Sequence, residues 1–193
     1  VIFLLLVLSI GLISGFLVAD NSMIRAYNDG FEKYNVENGH FLTERKMNKA
    51  QKKAVEANGI TLYDQFYVEQ TADFGAKVRI YADRNEVNTV CLMKGTLPVK
   101  KDEIALDRMF VDNHELTTGD TILLADKQYT ITGLVALPDY SCLFEKNSDS
   151  MFDAMLFGVA IVSSDAFAQF EEEELNYDYA WKYETEPHNE AEE

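Results

Sequence analysis

Three histidines, two cysteines and a surplus of carboxylates are the side chains from which this 193-residue chain could build chemistry. His40, His114 and His188 have no second His or Cys at metal-ligand spacing, and the His-Glu-x-x-His pattern does not occur. A lone His114 between Asn113 and Glu115 reads as a solvated loop residue. Cys91 and Cys142 are far apart in sequence. A disulfide is open to them outside the cytoplasm. Two unrelated thiols are equally open, because Cys91 lies in an apolar run with Val90, Leu92 and Met93. No neighbouring base activates either thiol, so nucleophilic catalysis has no support. Asn147, Ser148, Asp149 and Ser150 followed by Asp153 only half match a calcium loop, which needs alternating acidic positions around a central Gly. Glycine-rich phosphate loops and the Gly-x-Ser-x-Gly elbow are absent. ATP, if it drives this protein, is bound by another chain. No cofactor and no catalytic residue is expected.

Two further patterns could bind rather than react. Tyr177, Tyr179, Trp181 and Tyr183 alternate with Asp178, Ala180, Lys182 and Glu184. Such a ladder can be a binding platform, but it more often forms the core face of a strand covered by a helix. Residues 171–174 are all Glu and read as a solvated helix end. Their charge is unfavourable at a helix C-terminus, so the helix before them should end early.

The elements that hold these residues fall into two unlike parts. Lys and Arg number 17 against 33 Asp and Glu, a formal charge of −16. That balance excludes a basic nucleic-acid binder. An apolar fraction of 47% with 12% aromatics excludes wholesale disorder. Residues 1–19 carry no charge, so all −16 belongs to the rest. As a helix those residues cover roughly 28 Å, close to a bilayer's hydrocarbon core. They are apolar on every face, unlike an amphipathic core helix. No positive flank and no good cleavage site favour a signal peptide. The expectation is a transmembrane helix over 1–19, with Leu4, Leu5, Leu6, Leu8, Ile10, Leu12, Ile13, Phe16 and Leu17 facing lipid or neighbouring helices.

Residues 20–35 continue with helical spacing. Met23, Ile24, Tyr27, Phe31 and Tyr34 fall at steps of three and four. This predicts a stalk helix leaving the membrane, with Ile24, Tyr27, Phe31 and Tyr34 as its coupling face. Beyond it, residues 39–44 are extended, and 47–57 are helical with Met47, Ala50, Ala54 and Val55 inward. Asn58 and Gly59 end that helix. Residues 60–69 and 76–82 read as strands. From 87 to 137 short β-type runs recur between turn signals: 88–93, 95–98, 103–107, a short helix at 107–114, then 121–124 and 129–134. Asp126 and Lys127 read as a hairpin turn, and Pro138, Asp139 and Tyr140 stop the last strand. Residues 157–162 are a buried strand, Ser163 to Asp165 a helix cap cluster, and 177–183 a half-buried strand.

The expected class is α+β. A transmembrane and stalk helix leads into a split ferredoxin-like α/β lobe (36–86 and 155–185), interrupted by an inserted β-rich lobe (87–154) and followed by a polar tail (186–193).

Within that insertion Gly95-Thr-Leu-Pro98, Asp102-Glu-Ile-Ala-Leu-Asp107, Thr118-Gly-Asp-Thr-Ile-Leu123 and Tyr129-Thr-Ile-Thr-Gly-Leu-Val-Ala-Leu-Pro138 resemble the extracytoplasmic domain of FtsX-like ABC transporter permeases, of the MacB-like periplasmic core type. Residues 157–167 resemble the strand and helix that resume after the insertion. The resemblance implies a first transmembrane helix, a stalk, a porter-like α/β lobe and a β-rich lobe outside the cell membrane. It implies a homodimeric or paired permease and a separate cytoplasmic ABC ATPase subunit. It also implies mechanical transmission to a peptide, lipid or protein cargo outside the membrane. One span cannot form such a permease's helix bundle, so the resemblance makes this sequence a piece of a longer protein.

Two functions remain open on the sequence. One is a permease component in which residues 21–34 act as a lever; a stiff joint transmits motion where a Gly/Ser linker does not. The other is a stand-alone membrane-anchored extracellular binding or sensor module, whose −16 charge favours cationic ligands.

Overall fold

The computed structural model describes residues 3, 7, 11, 14, 22–25, 28–140, 143–145, 151 and 153–185. The nine residues expected to span the membrane (Leu4, Leu5, Leu6, Leu8, Ile10, Leu12, Ile13, Phe16 and Leu17) lie outside the described residues, as does Tyr27 of the stalk. Among the described residues no helix is long and apolar enough to cross a membrane. Every described residue before Tyr34 is helical.

Two sheets form the body. The smaller has the order β1-β10-β2. β1 (Gly39–Thr43) and β2 (Ile60–Asp64) both run antiparallel to β10 (Tyr177–Tyr183), which lies between them. α1 (Lys49–Glu56) carries the chain from β1 to β2, which makes a split β-α-β unit. Its start is fixed by a reciprocal capping box between Asn48 and Gln51. Its exit is fixed by Gly59 at φ +80°.

The larger sheet has the order β3-β4-β9-β6-β8-β5, with β7 also on β8. β3 is Tyr67–Thr71, β4 Lys77–Ala82, β5 Cys91–Gly95 and β6 Glu103–Asp107. β7 is Thr121–Leu124, β8 Lys127–Ala136 and β9 Phe157–Val162. The ten-residue β8 is long enough for β7 and β5 to pair with it end to end, over 127–130 and 133–136. β9 reads FGVAIV and is buried at all six positions, the pattern of a strand covered on both faces. It accordingly sits at the centre, parallel to β4 and antiparallel to β6.

One face of this sheet packs Val78, Ile80, Leu106, Ala160 and Val162 against Phe110 and Val111 of α2 (Arg108–Asn113). Asp107 caps α2 by accepting from the Met109 and Phe110 amides. Gly158 allows this approach, since a Cβ there would lie 2.4 Å from the Phe110 ring. The opposite face packs Tyr67, Tyr81, Val135, Leu137, Leu143, Phe157 and Val159.

The mixed α+β class stands, but the strands group differently from the expectation. The run 60–69 is two strands in two sheets, broken at Gln65 and Phe66. The strands of 87–154 do not form a sheet of their own; β6 joins β9 and, through it, β4. The second strand–helix–strand unit does not return to one sheet. Its helix, α3 (Ser164–Phe167), has four residues, and β9 and β10 belong to different sheets. The uniformly apolar β9 is drawn to the buried centre, while β10 serves the smaller sheet. The hairpin turn falls at Ala125 and Asp126, one residue earlier than expected, and Ala125 takes φ +49°. Residues 171–174 form a short turn of their own, exposed throughout.

Candidate functional site

The first candidate is the joint between the N-terminal helical residues and the body. Helix 28–33 ends in a Schellman arrangement. The Val36 amide donates to the Phe31 carbonyl at 3.0 Å, and the Asn35 amide to Glu32 at 3.2 Å, with Asn35 at φ +45°. The Asn35 side chain then reaches both ways. Its Nδ2 donates to the Glu86 carbonyl, and its Oδ1 accepts from Lys182 Nζ of β10. Lys182 also donates to the Val36 carbonyl at 3.1 Å. The Thr89 and Asn88 amides donate to the carbonyls of Tyr34 and Asn35. Tyr34 donates its hydroxyl to the free thiol of Cys91 at 2.9 Å. The helix end is therefore fastened to the smaller sheet and to the segment entering β5.

Of the expected coupling face, Tyr34 is half-buried in this joint. Ile24 and Phe31 are exposed, at 52% and 40%. The sequence reading missed Asn35 and Lys182. The only local signal was an Asn directly after a helical run, where a left-handed residue ends the helix.

The second candidate is a cavity of 590 Å³ between the two sheets. Strand pairing sets its walls. Leu42 of β1 and Asp178 of β10 are partners, and Gln65 follows β2 with its amide bonded to the Asp178 carbonyl. Opposite them stand Tyr67 and Glu69 of β3 and Lys77 and Arg79 of β4. Asp139, Tyr140 and Glu145 complete the wall after β8.

Arg79 organises this wall. It donates through Nε and Nη2 to Glu69 Oε1 at 3.0 and 2.6 Å, and through Nη1 to Tyr140 Oη at 2.8 Å. Its guanidinium lies 4.4 Å from the Tyr67 ring centroid. Lys77 pairs with both Glu69 and Glu145. Burial pushes the Glu69 carboxyl up, but its bonds and charge contacts with Arg79 and Lys77 outweigh this and hold it below its ordinary value. Behind the wall, Arg84 lies 3.9 Å from the Tyr81 centroid and donates to Asp139 at 2.7 Å.

Asp178 differs from its neighbours. It is 8% exposed, and its Oδ1 is buried with no hydrogen-bond partner among the described residues. Burial pushes its carboxyl up to about 6; His40 and Arg84 pull it down, while Glu37 and Asp139 push it further up. His40 contacts Glu37 Oε1 at 2.6 Å, and that bond raises the imidazole above its ordinary value despite the cost of burial. Of these cavity residues the sequence singled out only His40, as a histidine without a metal-ligand partner, and Asp139 and Tyr140, as a strand stop. Period-two alternation put Asp178 on the polar face of its strand; only Ala180 on that same face hinted that something covers it.

The other sequence candidates are placed as follows. Tyr179 is fully buried, stacked on Phe41 and edge-on to Phe66, and its hydroxyl accepts from the Met47 amide; it belongs to a covered strand face. His114 is not a solvated loop residue. It caps the end of α2 and packs 4.5 Å from the Phe110 ring and 4.3 Å from Phe74. Asp153 accepts from the Met155 amide. Cys142, His188 and residues 147–150 lie outside the described residues. Among the described residues no group of three or more His, Cys, Asp or Glu could hold a metal ion.

No family model matches the chain, and no curated protein matches it. Among solved structures it is similar to a lipoprotein-described chain from Bacillus anthracis, with 13% identity over 73% of this chain and 80% of that one, at a TM-score of 0.41. It is similar to the periplasmic region of MacB from Actinobacillus actinomycetemcomitans, with 10% identity over 76% of this chain and 69% of that one, at a TM-score of 0.42. It is also similar to the extracellular domain of the noncanonic ABC-type transporter YknZ from Gram-positive bacteria, with 7% identity over 78% of this chain and 83% of that one, at a TM-score of 0.44.

Proposed function

We propose that this chain is the extracytoplasmic domain and first membrane span of an ABC transporter permease subunit. A separate cytoplasmic ATPase hydrolyses ATP, and this chain carries the resulting motion to export or mechanotransmission outside the membrane. Residues after about 20 lie outside the cell membrane, and no catalytic step is assigned to the chain itself.

The observation that carries the proposal is the joint at Asn35. A lever transmits force only where its end cannot swivel. Here the helix end is closed by its own Schellman bonds and tied by Asn35 and Lys182 to two separate parts of the body. The uncharged run over residues 1–19 and the permease-like motifs between Gly95 and Pro138 support the same reading. In this reading Ile24, Tyr27, Phe31 and Tyr34 transmit the motion, through contacts with the permease's paired copy or with the lobes.

The test is capture of the native gene product from membranes, followed by ATPase assay of what comes with it. Co-purification of an ATPase supports the proposal, as does loss of coupling on inserting a flexible Gly/Ser segment near Asp20. Absence of any ATPase partner, or unchanged coupling after that insertion, overturns it.

A further inference from the structure

We infer that the cavity between the two sheets binds a small organic cation, an ammonium or guanidinium group, whose charge is met by the carboxylate of Asp178. The lever role uses none of these residues, so the inference stands or falls apart from it.

The cavity's 590 Å³ lies within the range of pockets that enclose small molecules. Its wall is charged, and most of that charge is already matched. Glu37 faces His40 and also accepts from Asn88. Glu69 is held by Arg79 and Lys77, Glu145 by Lys77, and Asp139 by Arg84. Asp178 is the exception: among the described residues Oδ1 has no hydrogen-bond partner, and His40 and Arg84 act on the carboxylate only through their charge. Gln65, which also lines the cavity and whose amide is bonded to the Asp178 carbonyl, likewise keeps Oε1 buried without a partner among the described residues. Both residues are more than nine-tenths buried, at 8% and 7% exposure.

Two adjoining lining residues, each with a buried acceptor that no described residue meets and one of them a carboxylate, define the complement. A buried acceptor left unmet costs free energy, and a buried charge costs more. A neutral donor would meet the hydrogen bonds and leave the charge. An anion would meet neither and would face the wall's surplus of carboxylates. An organic cation meets both, and Leu42, Tyr67 and Tyr140 offer its carbon body apolar surface.

The test is a titration of the full chain in nanodiscs of zwitterionic lipid at about pH 8, where the carboxylate is charged. The probes are butylammonium, butylguanidinium, 1-butanol and butyrate. Binding is read by calorimetry and by the side-chain amide resonances of Gln65. At least one of the two cations should bind saturably and about tenfold or more tighter than butanol, and butyrate should not bind. Asp178→Asn, which keeps shape and loses charge, should weaken that cation about tenfold or more, and Gln65→Met should weaken it by a smaller factor. The inference is overturned if neither cation binds saturably, if the preference over butanol is smaller than that, or if Asp178→Asn binds the cation unchanged.

Discussion

Asn35 Oδ1 accepts a hydrogen bond from Lys182 Nζ at 2.8 Å, across 147 positions of sequence. Because Asn35 also sits at φ +45°, one residue both ends the helix and ties it down. The two roles separate by substitution. Asn35→Gly keeps the left-handed backbone and loses the side-chain bonds, which should cost about 1 kcal/mol. Asn35→Ala loses both and should cost about 2 kcal/mol, since a left-handed alanine adds strain of about 1 kcal/mol. Denaturant titration of the two variants checks this. Equal losses would mean that the backbone conformation contributes nothing here.

Gly158 and Phe110 form a second such pair. A methyl at 158 would fall 2.4 Å from the Phe110 ring, so Gly158→Ala should destabilise the fold by about 1–3 kcal/mol. Phe110→Ala alone should cost about 3–5 kcal/mol through its cavity. Because the two sites share the same space, the double variant should be no less stable than Phe110→Ala alone. Strict additivity in that cycle would refute the steric account.

The parts of this fold legible in sequence are those whose signal is local. FGVAIV reads as a buried strand without any knowledge of its neighbours, and Asn58 with Gly59 marks the end of α1. What is not legible depends on partners far along the chain. No Gly or Pro marks the break at Gln65 and Phe66, because the break exists only where the chain leaves one sheet for the other. Nothing in the runs between 87 and 137 says that β6 will pair with β9. The cavity was hidden for the same reason. Asp178 reads as a solvent-facing residue until the wall containing Asp139 and Tyr140 is placed over it. Pro138, Asp139 and Tyr140 read only as a strand stop, although Tyr140 bonds both Arg79 and Tyr81.

The burial of Asp178 makes stability depend on pH in a direction opposite to the usual acid case. Its carboxyl is raised to about 6 in the folded protein, so the fold binds this proton more tightly than the unfolded chain does. The resulting stabilisation is complete below the unfolded value of about 4 and is lost as pH rises through about 6. Wild type and Asp178→Asn should therefore be similar near pH 4, where Asp178 is neutral. Near pH 8 the variant should be more stable, by a margin of order 2 kcal/mol. The charged neighbours that set the size of this effect are His40 on β1, Glu37 before it, Asp139 in the wall and Arg84 behind it. They are common to both proteins, so the difference isolates Asp178, apart from the readjustment of His40 when its neighbour's charge is removed. Denaturant unfolding of both proteins at the two pH values provides the measurement. A margin that stays constant between them would show that Asp178 titrates as an ordinary exposed carboxylate, and that its neighbours or solvent already meet its charge.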